Sequence, residues 1–220
     1  MGRDIARSYL SFLNNSSMSF IDKNNILEKL DSSKNIIVEL GCGPKKHYED
    51  SISIDLLDYP SVDIIGDLME VLKQFPSDSV KQFYSAHLFE HLDDIPLVLK
   101  ELKRVLLPNG VIEIKVPHFS NSFFYSDPTH TKFFGLYTFS YFFDDQIFFR
   151  KVPSYERIEG MKLESVNLIF RSYRPHYISH IIRRFFGMII NFHPVLQEIY
   201  EESFVNFISC YEIHVTAKKI

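Results

Sequence analysis

The stretch Ile36-Ile37-Val38-Glu39-Leu40-Gly41-Cys42-Gly43 constrains this chain more than any other. A β-branched apolar run that stops on two spaced glycines reads as a buried strand ending in a tight turn. Such a turn brings backbone close to a ligand only if it avoids Cβ atoms and tolerates positive φ. Pro44 suits the first turn of a following helix, where its missing N–H is not needed. Short strand candidates recur at Ser51–Asp55 and Val62–Ile65, each near an aspartate, and then at Val80–Ser85. Asp93 or Asp94 caps a helix predicted over Ile95–Leu107, whose apolar face repeats at Leu99, Leu102, Val105 and Leu106. Pro108-Asn109-Gly110 ends that helix, and Val111–Val116 follows as a strand. Strands alternating with helices predict a parallel α/β sheet with helices on both faces.

The flanking regions are plainer. Ile21, Ile26, Leu27 and Leu30 predict a short helix over Phe20–Leu30. Near the other end, strand-like stretches at Leu163–Phe170 and Phe207–Thr216 flank a helical region over Tyr177–Glu202. With 220 residues, 45% of them apolar, one domain (1–220) with a full core is expected. The Tyr177–Phe192 segment is expected to pack in that core. The alternatives are a cover over a site, a homodimer contact, or an interfacial helix making weak peripheral membrane contact.

Several classes are disfavoured. The 24 basic and 28 acidic side chains nearly cancel, which argues against a nucleic-acid partner. The two cysteines, Cys42 and Cys210, have no paired spacing, so a reducing cytoplasm fits. Met1–Ala6 lacks the apolar core of a signal peptide, and Ala6 stands where a myristoylation motif wants Ser or Thr. Arg183 and Arg184 interrupt the most apolar late stretch, so no transmembrane segment is expected.

The glycine turn itself selects among nucleotide-type ligands. Lys46 occupies the place of a third fingerprint glycine, which disfavours a dinucleotide. Asp55, ending the second strand, is placed to accept from both ribose hydroxyls of an adenosine, and Asp67 from an adenine amino group. Val38-Glu39-Leu40-Gly41-Cys42-Gly43-Pro44 resembles motif I of class I S-adenosylmethionine-dependent methyltransferases, and Ile54-Asp55 their acidic ribose position. Glu90-His91-Leu92 and Arg104-Val105-Leu106-Leu107-Pro108-Asn109-Gly110 resemble the family's second signature, with Asn109 in place of its first glycine. Asn also tolerates left-handed geometry.

The resemblance implies a Rossmann-like, mostly parallel sheet closed by an antiparallel C-terminal hairpin. It divides the chain into a cofactor-binding half at 34–118 and an acceptor-side half at 119–220, with a helical insertion about 177–202. It implies S-adenosylmethionine as cofactor, contacted by Glu39, Gly41, Cys42, Gly43, Asp55, Leu56, Asp67, Leu68, Ser85 and His87. His118-Phe119-Ser120 and Asp127-Pro128-Thr129-His130 resemble a subgroup associated with bacterial surface-polysaccharide assembly, which implies a glycan or small-molecule acceptor.

Methyl transfer to a hydroxyl needs alignment and removal of a proton. His118, Asp127 and His130 are expected around the acceptor, with one histidine as base. Alternatively, a divalent metal held among His91, His118, Asp127 and His130 lowers the hydroxyl's pKa. His87-x-x-Glu90-His91 also fits an inverted zinc-protease pattern, but the methyltransferase signature accounts for the same letters. His176, His180, His193 and His214 read as surface or packing residues. Most rings between Phe119 and Phe149 are expected to pack in the core or a lid, leaving Phe123, Phe124 and Tyr125 as acceptor-face candidates. The expected activity is O-methylation of a surface-glycan sugar or its precursor. Methylation of a small metabolite or lipid precursor is an alternative, as is a non-catalytic interaction subunit.

Overall fold

The computed structural model describes residues 20–30, 35–144, 147–153 and 156–220; the expectations placed on Met1–Ala6 fall outside them. By packing, these residues form two compact units. One joins the described chain through Ala86 to Leu97–Val111, and the other joins His87–Pro96 to Ile112–Ile220.

In the first unit the β-branched runs become parallel strands. Strand β2 (Ile37–Leu40) pairs with β3 (Ile52–Asp55), Val38 opposite Ile52, and on its other side with β5 (Val80–Ala86), Leu40 opposite Ser85. Strand β4 (Ile64–Gly66) extends the sheet parallel to β3. The predicted helix over Phe20–Leu30 does not form. Phe20–Asp22 is instead an edge strand, β1, antiparallel to β4 with Phe20 opposite Gly66, followed by a 3-10 turn at Leu27–Lys29. Backbone pairing with β4 outweighs the weak helical spacing there, and the Asp22 carboxylate accepts from Leu27 N at 2.8 Å. The order is β1-β4-β3-β2-β5, then β6 (Leu106–Pro117).

Two helices cover this unit's hydrophobic residues. Helix α1 (Leu68–Leu72) starts at Asp67, whose carboxylate accepts from Met69 N and Glu70 N and so satisfies two first-turn donors. Helix α2 (Ile95–Val105) buries Leu99, Leu102 and Val105 completely, on the face the spacing predicts. It stops two residues earlier than expected, and β6 runs through Pro108-Asn109-Gly110 rather than starting after it. Pro108 disfavours helical geometry at Leu107, so the chain extends directly. Asn109 takes φ 64°. A Cβ at Gly110 would lie 3.0 Å from the Lys81 carbonyl of β5, so only glycine fits against that strand.

In the second unit β6 continues beside β8 (Glu212–Lys219), which pairs antiparallel with β7 (Met161–Ile169), Val166 opposite Val215. The sheet is therefore mixed, eight-stranded and Rossmann-like, with the expected C-terminal hairpin. Phe134, Phe139, Phe143 and Phe148 are buried as expected, and Phe124 is buried too, which removes it from the acceptor-face candidates; Phe123, Tyr125, Phe133 and Phe149 are exposed.

The helical region contains α3 (Tyr177–Ile190) and α4 (Pro194–Ile199), which runs on into a π turn at Tyr200–Phe204. Core packing of the Tyr177–Phe192 segment is only partial. Phe186 packs edge-on against Phe170, and Gly187 and Ile190 are buried. Ile178, Ile181, Ile182, Phe185, Met188 and Phe192 are exposed. One face of a helix suffices to cover one patch of sheet, so the other apolar face is left outside. Among the described residues no helix is long and apolar enough to cross a membrane.

Candidate functional site

Strand order reverses at β2, which has β3 on one side and β5 on the other, and in open α/β sheets ligands bind beyond the carboxyl ends of strands at such a point. A cavity of about 370 Å³ lies there, bordered by Glu39, Gly41, Cys42, His47, Tyr84 and Ala86. Gly41 and Gly43 take φ 66° and 60°, so the turn is left-handed at both glycines, as their spacing implies. No helix starts at Pro44. Instead the buried Glu39 carboxylate accepts from His47 N (2.8 Å), Tyr48 N (2.5 Å) and Ser51 Oγ (2.8 Å) and holds the following loop to the strand. Asp55 Oδ2 accepts from Gly43 N at 2.8 Å and its Oδ1 from Leu57 N at 2.9 Å, so one carboxylate fixes both the glycine turn and the end of β3.

The cavity suits an adenosine bearing a sulfonium side chain. Its volume lies in the usual range for small-ligand sites. The His47 ring stacks flat on Tyr84, centroids 4.4 Å apart, giving an aromatic wall. Glu39, Lys45 and Lys46 give the lining both signs of charge, as a zwitterionic ligand requires. Burial raises the Cys42 thiol pKa, which disfavours the thiolate a nucleophile needs. Leu56 is exposed beside Asp55, Asp67 and Leu68 stand at the start of α1, and Ser85 Oγ is buried in β5 without a hydrogen bond among the described residues.

The second unit gathers most of the remaining candidates into one cluster. Thr131 N donates to Glu90 O at 2.9 Å, tying the loop at 127–131 to the 3-10 turn at Phe89–His91. That tie sets the His91 and His130 rings 4.8 Å apart. The Thr129 hydroxyl donates to Asp127 Oδ1 at 2.6 Å and lies 3.0 Å from His91 Nδ1. With its proton committed to Asp127, Thr129 is an acceptor for His91, so His91 carries its proton on Nδ1. His130 Nδ1 lies 2.9 Å from the Phe124 carbonyl, which only accepts, so His130 is likewise protonated on Nδ1. In this tautomer each ring carries its lone pair on Nε2. His130 Nε2 lies 3.7 Å from Asp127 Oδ2 and 4.0 Å from Glu90 Oε1. Hydrogen bonds from the Thr129 hydroxyl and backbone hold the Asp127 carboxyl below its ordinary range.

His87 stands apart in character. It takes φ 56°, a strained value for a non-glycine residue, and its Nε2 lies 3.2 Å from Glu212 and its Nδ1 3.3 Å from Glu90. Bonding to Glu212 first, and to Glu90 second, lifts its pKa to about 9. His87 is a cation at neutral pH and no general base there. Burial pushes the Glu212 carboxyl up, but the His214 and His87 rings and Arg171 outweigh that and bring it far below the carboxylate range.

His118 does not join the cluster. It is fully buried, and its Nδ1 accepts from Ser120 N at 3.0 Å. Its Nε2–H therefore donates to Glu201 Oε2 at 3.0 Å. Glu201 Oε1 also accepts from Leu136 N, and a Cβ at Gly135 would come within 2.6 Å of that oxygen. Sequence reasoning passed over Glu201, Glu212 and Thr129. Only Thr129 had a local signal, since Asp-x-Thr favours an Asx-type turn closing on the aspartate.

A family model described as a methyltransferase domain matches residues 51–114. No curated protein sequence matches the chain. Among solved structures, an S-adenosylmethionine-dependent methyltransferase from Archaeoglobus fulgidus is 16% identical, with a TM-score of 0.50 over 89% of this chain and 90% of that one. One from Mesorhizobium loti is 15% identical over 90% and 98%, TM-score 0.40. Phosphoethanolamine N-methyltransferase 2 from Haemonchus contortus, in complex with S-adenosyl-L-methionine, is 12% identical over 89% of this chain and 51% of its own, TM-score 0.46. Residues 51–114 are thus similar to a methyltransferase domain, and the fold is that of the S-adenosylmethionine-dependent methyltransferase from Archaeoglobus fulgidus.

Proposed function

We propose that this chain transfers a methyl group from S-adenosylmethionine to a hydroxyl oxygen, the favoured acceptor being a sugar of a surface glycan or its precursor in a reducing cytoplasm. The observation that carries the reading is the pair of imidazoles, His91 and His130, each with Nδ1–H tied to an oxygen and its Nε2 lone pair left over, that of His130 3.7 Å from Asp127. An oxygen acceptor must lose a proton as it attacks, and such a cluster assists that loss. The donor supplies an activated methyl on a sulfonium, open to in-line displacement. In this reading the Gly41–Gly43 turn receives it, Asp55 accepts from the ribose hydroxyls through lone pairs not used by the backbone, and Asp67 with Leu56 and Leu68 borders the adenine. Asp127 and His130 serve the acceptor, while His118, locked between Ser120 and Glu201, shapes the loop after β6.

The experiment is incubation with methyl-labelled S-adenosylmethionine and a panel of sugars, nucleotide sugars and amines, read by mass spectrometry. Label on a sugar oxygen supports the reading, and label only on nitrogen rejects it. A lipid-linked precursor is the second reading, favoured by the exposed apolar face of α3. Extracted lipid-linked acceptors belong in the same panel.

A further inference from the structure

Glu90 is fully buried; its Oε1 pairs with His87 Nδ1 at 3.3 Å, but its Oε2 has no hydrogen-bond partner among the described residues. Buried polar atoms are nearly always satisfied, and an orphaned carboxylate oxygen calls for a missing partner. Glu90, His91 and His130 each offer one ligand atom, all within 4.8 Å of one another. We propose that these three residues bind a divalent first-row transition ion such as Zn²⁺.

Three features carry this beyond mere clustering. The set is two imidazoles and one carboxylate, a donor set suited to such ions that leaves coordination positions open. Both imidazoles are prepared in the tautomer a ligand needs. His130 donates Nδ1–H to the Phe124 carbonyl, and His91 donates Nδ1–H to Thr129, which passes its own proton to Asp127. Metal-binding histidines characteristically anchor their second nitrogen on oxygen in this way. Finally, the ion would give the orphaned Glu90 Oε2 a partner.

Bonds of about 2.0–2.1 Å place tetrahedral ligand atoms roughly 3.3 Å apart, so the set must close by at most about 1.5 Å. His91 is exposed, so a shift of its ring about the Nδ1 anchor meets solvent rather than packed core. Asp127, tied to Thr129, is then a positioning residue for His91 rather than a ligand. With the ion bound, the two Nε2 lone pairs are ligands rather than bases, and the ion instead lowers the pKa of the acceptor hydroxyl; that service rests on the O-methylation reading, whereas ion binding does not.

The test is calorimetric titration of chelator-treated full-length protein with Zn²⁺, repeated with Co²⁺ and followed by visible absorption. One ion per chain is expected, with cobalt bands of a low-symmetry nitrogen and oxygen site. Glu90→Gln, His130→Gln and His91→Ala should each weaken Zn²⁺ by tenfold or more, and His214→Gln should not. S-adenosylmethionine binding, measured alongside, should be unaffected in all four. His91 is exposed, so its variant remains informative if the two more buried ones misfold. No stoichiometric ion in the wild type, or unchanged affinity in His91→Ala together with any folded variant at Glu90 or His130, overturns the proposal. An ion bound as expected with no methyl transfer to any hydroxyl would instead reject the O-methylation reading alone.

Discussion

The Gly41–Gly43 turn and the Glu90–His91–His130 cluster are built by opposite means. The turn is backbone geometry, with two left-handed glycines between Glu39 and Asp55, whose carboxylates accept main-chain N–H groups. The cluster is side-chain chemistry, assembled when the loop at 127–131 bonds the turn at 89–91. A backbone site is written locally, because only certain residues tolerate its conformation. A side-chain site depends on the fold, because its parts are distant along the chain. Damage to the first should therefore change shape and donor affinity together. Damage to the second should change chemistry and leave donor affinity alone.

The most severe test of this contrast is Gly41→Val. A β-branched residue at φ 66° is strained by about 1–3 kcal/mol, and the turn should shift to relieve it. Loss of measurable methyl transfer and roughly a hundredfold weaker S-adenosylmethionine binding are expected by calorimetry; normal binding would break the comparison. His130→Gln should come next, lowering kcat by roughly a hundredfold or more while donor affinity stays within about twofold. A parallel fall in donor affinity would mean that the two regions are not separable.

Thr129→Val probes the anchoring of His91 without touching either ring. A loss of about tenfold in kcat is expected, the scale seen when a supporting hydrogen bond to a functional histidine is removed. The smallest effect belongs to Ile181→Ser on the exposed face of α3, where thermal unfolding should change by less than about 0.5 kcal/mol. That variant is the reference against which losses from the cluster are judged to be chemical.

The same contrast explains what the sequence revealed. Strands β2 to β5 and the buried face of α2 were legible because hydrophobic period and glycine position are local signals. Asn109 was readable as a left-handed residue for the same reason. Phe20–Asp22 was misread because its conformation comes from β4, not from its own spacing. The absence of a helix after Pro44 follows from Glu39 capturing His47 and Tyr48, a contact no motif announces. In the site, His91, Asp127 and His130 were visible as residue types, but their meeting depends on a backbone bond from Thr131 to Glu90. The split of His118 from them was invisible, since Glu201 lies far along the chain. The two faces of α3 were indistinguishable because both are apolar.

The central claim is that the Asp55-braced glycine turn receives the adenosine of a sulfonium donor. Titration of S-adenosylmethionine and its demethylated product into wild type and Asp55→Ala tests it most directly. One-site binding of both compounds to the wild type is expected, weakened at least tenfold in Asp55→Ala, where Gly43 N–H loses its acceptor and the ribose its carboxylate. Absence of binding to the folded wild type, or identical affinity in the two proteins, would contradict it.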